Sequence, residues 1–68
     1  MQSDRLIRMA NQIATYFSAY PHDEAVAGVA DHLAHFWEPR MLVAIKAHVA
    51  KGGEGLHALV PEAVRRLN

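Results

Sequence analysis

Pro39 is the residue that most restricts how this chain can fold, because proline has no backbone N–H and disfavours helical backbone in the residue before it. One helix is therefore expected to end at about Trp37, and another to begin at Pro39. Residues 36–41 (FWEPRM) then form a corner between two helices. The corner ends one helix with two large aromatic residues and begins the next with Arg40 and Met41. Such a corner suits either the hub of a small core or an anchor for a partner.

The length of the chain limits it to a single domain, residues 1–68. A chain this short buries only about 60% of the surface that its unfolded form exposes, so small domains usually draw stability from disulfides, metals or partners. The sequence contains no cysteine, which excludes disulfides and cysteine-based zinc or iron–sulfur sites. Association with a partner is the main source of stability that remains, and a histidine-based metal site is the second.

The charge distribution argues against a nucleic-acid partner. Seven basic residues balance seven acidic ones, and no basic run is present that could follow a phosphate backbone. The N-terminal residues 1–5 (MQSDR) lack the basic and apolar regions of a signal peptide, and no apolar run approaches about 18 residues. We therefore expect a soluble cytoplasmic protein that does not bind membranes.

The first helix is expected to run from about Ser3 or Asp4 to Tyr20, where Pro21 removes the next backbone donor. Ser3 is a suitable N-cap, and Asp4 suits the positive end of the helix dipole. At about 100° per residue, apolar side chains occupy one half of this helix and polar side chains the other. The apolar half consists of Leu6, Ile7, Met9, Ala10, Ile13, Ala14, Tyr16, Phe17 and Tyr20. The polar half consists of Asp4, Arg5, Arg8, Asn11, Gln12, Thr15 and Ser18.

A second helix is expected to begin between Pro21 and Asp23 and to end at the corner. Its apolar side chains grow from small residues at the start to two aromatic rings at the end. The apolar face consists of Val26, Val29, Ala30, Leu33, Phe36 and Trp37. The polar face consists of Glu24, Gly28, Asp31, His32, His35 and Glu38.

The third helix, from Pro39 to about Ala50, carries more apolar surface than one core contact needs. Its core stripe consists of Met41, Ile45 and Val49, with Leu42 at the edge. Val43 and Ala50 lie on another side, so the helix has no broad polar face. This pattern indicates a second contact surface, although scattered exposed apolar side chains are the alternative.

The rest of the chain predicts a helix end and a short closing helix. Residues 51–55 (KGGEG) stop the third helix, since Lys and Gly are favoured at helix C-termini. A break is expected before Pro61, followed by a helix with Ala63, Val64 and Leu67 on its apolar face. No strand-like alternation is visible. The sequence thus predicts an all-α fold, a compact bundle of three main helices with a short C-terminal helix.

Catalytic chemistry finds little support in the sequence. A nucleophile needs a base within hydrogen-bond reach, whereas Ser3, Thr15 and Ser18 all fall on or near the polar side of the first helix. We therefore expect no catalytic residues in this chain. His32 and His35 have a spacing that metal sites sometimes use, but a solvated face explains them better, since Asp31 can pair with His35. His48 is expected to be half-buried with a backbone partner.

Several short motifs, taken together, resemble one family. These are residues 8–14 (RMANQIA), Pro21 with residues 25–32 (AVAGVADH), the corner 36–41 (FWEPRM) and residues 52–56 (GGEGL). In this order and at this spacing, they resemble the delta subunit of cytoplasmic NAD-dependent, molybdenum-containing formate dehydrogenases. The resemblance covers nearly the whole chain, and the corner is its most distinctive motif.

The resemblance implies a small accessory subunit without cofactors of its own. The complex would oxidise formate to carbon dioxide and reduce NAD, with the molybdenum pterin, iron–sulfur clusters, FMN and NAD site in other subunits. The partner would chiefly be the molybdenum-containing alpha subunit, whose assembly or stability the small subunit would support.

The corner and the third helix supply the residues expected to form a structural hub or to contact the partner. These residues are Phe36, Trp37, Pro39, Arg40, Met41 and Val43. Arg40 is the best candidate for a bidentate contact with a partner carboxylate or carbonyl. The alternative for Trp37 and Met41 is that they fill the domain's own core.

Two other functions are compatible with the same sequence. A homodimeric helical interaction module would explain the excess of apolar surface, and purified protein would then have twice the monomer mass. A histidine-dependent metal carrier would bind stoichiometric zinc or nickel through His32 and His35.

Overall fold

The computed structural model describes residues 2–67, and the side chains of residues 4–67. Four α-helices follow one another along the chain, and the described residues include no strand. They are α1 (Gln2–Phe17), α2 (His22–Phe36), α3 (Pro39–Ala50) and α4 (Leu59–Arg65). The expected all-α bundle, with three main helices and a short C-terminal one, is confirmed.

The predicted bounds of α1 are wrong at both ends. The helix already includes Gln2, so Ser3 lies in its first turn and is not the N-cap, and the side chain of Ser3 lies outside the described residues. At the other end, Tyr20 N–H donates to the carbonyl of Phe17 at 3.0 Å, which is the tighter i to i−3 pattern. Ser18 N–H also donates to the carbonyl of Thr15 at 3.3 Å, so the chain leaves the α-helical pattern before Pro21 and α1 ends three residues earlier than expected.

The corner around Pro39 forms as predicted. Trp37 N–H donates to the carbonyl of Leu33 at 3.0 Å, which closes α2, and Glu38 is extended at φ −67° and ψ 152°. Pro39 then begins α3, which ends at Ala50 as expected. The proline ring disfavours helical backbone at Glu38, and this separates two helices that would otherwise be continuous.

The expected break before Pro61 is wrong. α4 begins at Leu59, so Pro61 lies in the first turn of the helix. The first four backbone N–H groups of a helix have no intrahelical partner, so the missing donor of Pro61 removes no helical bond there. Gly52 follows the end of α3 and has a φ of 118°, a backbone angle that residues other than glycine rarely adopt.

The core lies mainly between α2 and α4, which share the most extensive contact, and α1 packs against α2 and α3. No polar side chain is buried among the described residues. Leu33 is fully buried, which contributes roughly 2 kcal/mol through the hydrophobic effect. The buried residues are Ala10, Ala14, Ala25, Val26, Val29, Leu33, Trp37, Ile45, Leu59, Val60, Ala63 and Val64.

Three aromatic residues on the predicted apolar faces are exposed instead. Tyr16 is 67% exposed, Tyr20 47% and Phe36 73%. In α1, Ala10 and Ala14 are fully buried and Leu6, Met9, Ile13 and Phe17 are partly buried against the core, whereas Tyr16 lies outside it.

Gly28 and His32 were expected on the polar face of α2, yet both are half-buried. A Cβ atom built on Gly28 would lie 2.5 Å from two ring carbons of Phe17. The absence of a side chain at position 28 therefore lets the last residue of α1 pack directly on α2.

Polar side chains tie the long segment between α3 and α4 to the helices. Asn11 donates from Nδ2 to the carbonyl of Gly55 at 2.9 Å and accepts at Oδ1 from the backbone N–H of His57 at 2.7 Å. Nε2 of His48 lies 2.7 Å from the carbonyl of Glu54 and donates to it, so the backbone partner expected for His48 is confirmed. These bonds hold a segment without regular structure against α1 and α3.

Candidate functional site

The six residues expected to form a hub or a partner contact divide between the inside and the outside of the domain. Trp37 is 6% exposed and belongs to the core, and Met41 is half-buried against it. The exposed members are Phe36, Pro39, Arg40 and Val43. The corner therefore combines a buried anchor of the fold with side chains that solvent reaches.

An open groove runs between α1 and α2 and ends at the corner. It consists of three adjoining depressions, and His32 lines all of them. We call it the aromatic groove. Its α1 wall consists of Met9, Gln12, Ile13, Tyr16 and Phe17. Its α2 wall and floor consist of Gly28, Asp31, His32, His35, Phe36 and Trp37, and Glu38 and Met41 close its end at the corner.

Aromatic rings contact one another along both walls of this groove. The ring centroids of His32 and Phe36 lie 4.7 Å apart, with 36° between the planes. Across the groove, the rings of Tyr16 and Phe17 meet edge to face at 5.0 Å, and Tyr20 lies 5.9 Å from Phe17. Both walls therefore present aromatic surface to solvent, since Tyr16 and Phe36 are exposed.

The charged side chains that line the groove are acidic. Asp31 belongs to one depression and Glu38 to another, whereas no described Lys or Arg lines any of the three. His35 lies 3.5 Å from Asp31 through Nδ1 and Oδ1, which is the predicted i,i+4 pair, and the same Nδ1 lies 2.8 Å from the Asp31 carbonyl. The groove therefore offers carboxylates at its α2 side and at its corner end.

The outward side of α3 forms a second exposed surface, which we call the α3 face. Val43 is 66% exposed and lies between two cations, Arg40 near the start of the helix and Lys51 just after its end. The α3 face consists of Arg40, Val43, Ala47, Ala50 and Lys51, all exposed. This arrangement agrees with the apolar surface expected for the third helix.

The described side chains offer few groups for metal or nucleophilic chemistry. They include no cluster of three or more His, Asp or Glu residues that could hold a metal ion. His32 stacks on Phe36, and His35 turns toward Asp31. Ser18 donates its hydroxyl to the carbonyl of Thr15 at 2.6 Å.

Within residues 2–67, no helix combines the length and the apolar character needed to cross a membrane.

Comparison with known proteins identifies the family. Residues 5–64 match the family model of the NADH-dependent formate dehydrogenase delta subunit, FdsD. The chain belongs to this family. The resemblance based on the sequence motifs is thereby confirmed, and the family name makes the chain a subunit of a formate dehydrogenase complex that associates with other subunits. No curated protein and no solved structure gives a significant match to the chain.

The sequence reasoning did not foresee Tyr16 and His32 as parts of an exposed groove. Tyr16 was expected in the core, and His32 on a solvated face. One signal was available, because His32 and Phe36 are four residues apart and therefore neighbours on one helix surface. Their position opposite Tyr16 depends on how α1 and α2 cross. The spacing of apolar residues within either helix does not predict this crossing.

Proposed function

We propose that this chain is a non-catalytic accessory subunit of a cytoplasmic formate dehydrogenase. It docks on the molybdenum-containing alpha subunit and supports the assembly or stability of that subunit. The observation that carries the proposal is the exposure of large apolar side chains in a domain of this family: Tyr16, Phe36 and Val43 are each more than 60% exposed. Grouped exposed apolar side chains mark protein–protein contact sites, and Tyr16 and Phe36 both line the aromatic groove.

A role without catalysis agrees with the chemistry of the described side chains. No described hydroxyl group donates to a histidine or a carboxylate, so no activated nucleophile of the serine or threonine kind is assembled. In this proposal the molybdenum pterin, iron–sulfur clusters, FMN and NAD site belong to the other subunits, which carry out formate oxidation and NAD reduction.

Stabilisation of the alpha subunit follows from mass action. A protein that binds the folded form of its partner and not the unfolded form shifts the partner's folding equilibrium toward the folded state. The exposed apolar side chains of this chain supply a hydrophobic driving force of about 25 cal/mol per Å² buried. The same contact would hold the alpha subunit in a defined conformation while its cofactors are inserted.

Arg40 is the residue of the α3 face that we expect to make a polar contact with the partner. It is exposed beside Val43, and its guanidinium can bind a carboxylate through two parallel hydrogen bonds. We expect Arg40→Ala to lower recovery of the larger subunits while the fold is retained, and Arg65→Ala, an exposed arginine on α4 outside the α3 face and the aromatic groove, to serve as the control. Unchanged recovery and stability in Arg40→Ala would remove Arg40 from the proposal.

Co-purification tests the proposal as a whole. The tagged chain is expressed with the other subunits of a molybdenum formate dehydrogenase, and the recovered material is examined by mass spectrometry and metal analysis. We expect the larger subunits in fixed ratio, with molybdenum and iron. Recovery of the chain alone, as a dimer of twice the monomer mass or with zinc or nickel bound through His32 and His35, would overturn the proposal.

Deletion of the chain separates assembly from catalysis. Without it, we expect less molybdenum per alpha subunit and a lower melting temperature of the complex. Fully loaded enzyme that has lost the chain should retain its kcat, because the chain supplies no reacting group. A loss of kcat at unchanged molybdenum content, reversed when the chain is added back, would contradict the non-catalytic role.

A further inference from the structure

We propose that the aromatic groove binds an amphipathic helix of a larger formate dehydrogenase subunit, with Lys or Arg residues flanking the apolar side chains of that helix. The inference rests on the proposed function and names the surface and the chemistry of the contact. Three features carry it: the dimensions of the groove, its apolar walls and the sign of the charges along it.

The dimensions fit a short stretch of helix. The α1 wall extends from Met9 to Phe17, and eight residue steps at 1.5 Å per residue correspond to about 12 Å. This length equals about two turns of a helix laid along the groove. Binding of an amphipathic helix in a groove between two helices is a common mode of peptide recognition, in which side chains spaced three or four apart enter successive depressions.

The walls supply the apolar contact that such a helix requires. Phe36 is 73% exposed and its ring lies against His32, while Tyr16 faces the groove from α1 at 67% exposure. Branched or aromatic side chains placed in the depressions beside these rings would remove apolar surface of both proteins from water. Tyr and other aromatic residues at the centre of an interface usually carry a large share of the binding energy.

The charges select the kind of helix. Asp31 and Glu38 lie seven residues apart at the α2 side and the corner end of the groove, and no described Lys or Arg lines it. A partner helix with basic residues about two turns apart would place a cation near each carboxylate. An acidic helix would meet like charges at both places, which disfavours association.

The same charges argue against a second copy of this chain as the occupant. In a two-fold symmetric dimer, the same patch faces itself, so a contact between two grooves would bring the acidic rims of both copies together. No described Lys or Arg lines the groove to compensate for that repulsion. A subunit with a different sequence can supply the missing cations.

Photo-crosslinking from position 36 tests the proposal. Phe36 is replaced by p-benzoylphenylalanine in the full-length chain, and the assembled formate dehydrogenase is irradiated and analysed by mass spectrometry. The matched control carries the same residue at Ala34, which is exposed on α2 but does not line the groove. We expect crosslinks from position 36 to a helix of a larger subunit with flanking Lys or Arg, and few from position 34.

Charge removal tests the electrostatic part. Glu38→Gln is compared with Glu54→Gln, an exposed residue outside the groove, in binding to enzyme prepared without the small subunit. Glu38 makes no side-chain cap hydrogen bond, so the change leaves α3 intact. We expect Glu38→Gln to bind about two- to fivefold more weakly at low salt, with the difference reduced at high salt. Equal affinities of the two variants would contradict the electrostatic assignment.

Failure of the inference can be distinguished from failure of the proposed function. If the chain co-purifies with the larger subunits but crosslinks from position 36 reach only a second copy, an acidic segment or nothing, the inference is wrong and the proposed function stands. If the unsubstituted chain recovers no larger subunit, the proposed function itself is wrong.

Discussion

The contact between α2 and α4 and the aromatic groove between α1 and α2 use opposite kinds of side chain. Aliphatic side chains fill the contact between α2 and α4, where Val29, Leu33 and Val60 are fully buried. The groove instead exposes two of the largest apolar side chains in the domain, Tyr16 and Phe36. Both regions share α2, so one helix presents a completed contact on one side and an open one on the other.

The difference shows that exposure of the aromatic residues is not a consequence of too few apolar partners. Between α2 and α4 the contact consists of buried aliphatic side chains, and no polar side chain is buried among the described residues. Single apolar side chains are common on protein surfaces, whereas apolar side chains grouped along one groove are informative. Tyr16 and Phe36 both line the aromatic groove, which is why we place the proposed partner contact there.

Replacement of a core residue should have the largest effect on stability. We expect Leu33→Ala to lower the free energy of unfolding by about 3 kcal/mol, because the fully buried side chain leaves a cavity. In a 68-residue domain this loss approaches the total stability, so urea unfolding at low temperature is the suitable measurement. The control is Phe36→Ala, expected to change stability by less than about 1 kcal/mol. A larger loss of unfolding free energy for Phe36→Ala than for Leu33→Ala would contradict the distinction between a buried core contact and an exposed groove.

Asn11 should have the next largest effect, since it fixes the segment before α4 and thereby the α2–α4 contact. Asn11→Ala removes hydrogen bonds to the Gly55 carbonyl and the His57 N–H. We expect a loss of about 1 to 2 kcal/mol in the free energy of unfolding, partly offset by the better helix propensity of Ala. Gln12→Ala, on the neighbouring exposed position, is the control. Equal stability of the two variants would show that the segment is held by apolar contacts alone.

Gly28 tests whether the wall of the groove is fixed by packing. Gly28→Ala places a methyl group against the ring of Phe17, so we expect a net loss of about 1 kcal/mol despite the higher helix propensity of Ala. In a Phe17→Leu background, the same change should become neutral or stabilising. If Gly28→Ala stabilises the otherwise unchanged chain, the ring moves freely and the groove is not preformed there.

The exposed pair between His22 and Glu62 should contribute least. Nε2 of His22 lies 3.0 Å from a carboxylate oxygen of Glu62 and links the first residue of α2 to α4, yet the side chains of His22 and Glu62 are 61% and 45% exposed. We expect His22→Gln to change the free energy of unfolding by less than about 1 kcal/mol. A larger loss would mean that the α2–α4 contact depends on this pair as well as on apolar burial.

Much of the fold follows from residues whose effects are local. Pro39 sets the corner and the start of α3 through its own ring, and His48 reaches a carbonyl only six residues away. Helical periodicity likewise identified Leu33 and Ile45 as core residues. The position of Pro61 was misjudged because a proline is tolerated in the first turn of a helix, where it breaks no bond.

The groove could not be predicted because it depends on distant parts of the chain. Periodicity assigns Tyr16 to the apolar half of α1 but does not say how far α2 extends over that half. Asn11 reaches residues more than 40 positions away, a contact that no local pattern contains. Family membership indicates that the chain has partner subunits. The crossing of α1 and α2 forms the groove on which we propose that a partner docks.

The most direct test of the account measures the stability and the partner binding of one variant together. Phe36→Gln and the control Ala34→Gln are compared for free energy of unfolding and for recovery of the larger formate dehydrogenase subunits. We predict that both retain stability within about 1 kcal/mol and that only Phe36→Gln loses partner binding, by at least about tenfold. Undiminished recovery with Phe36→Gln, or a loss explained by unfolding of the variant, would contradict the claim that the aromatic groove is a docking surface.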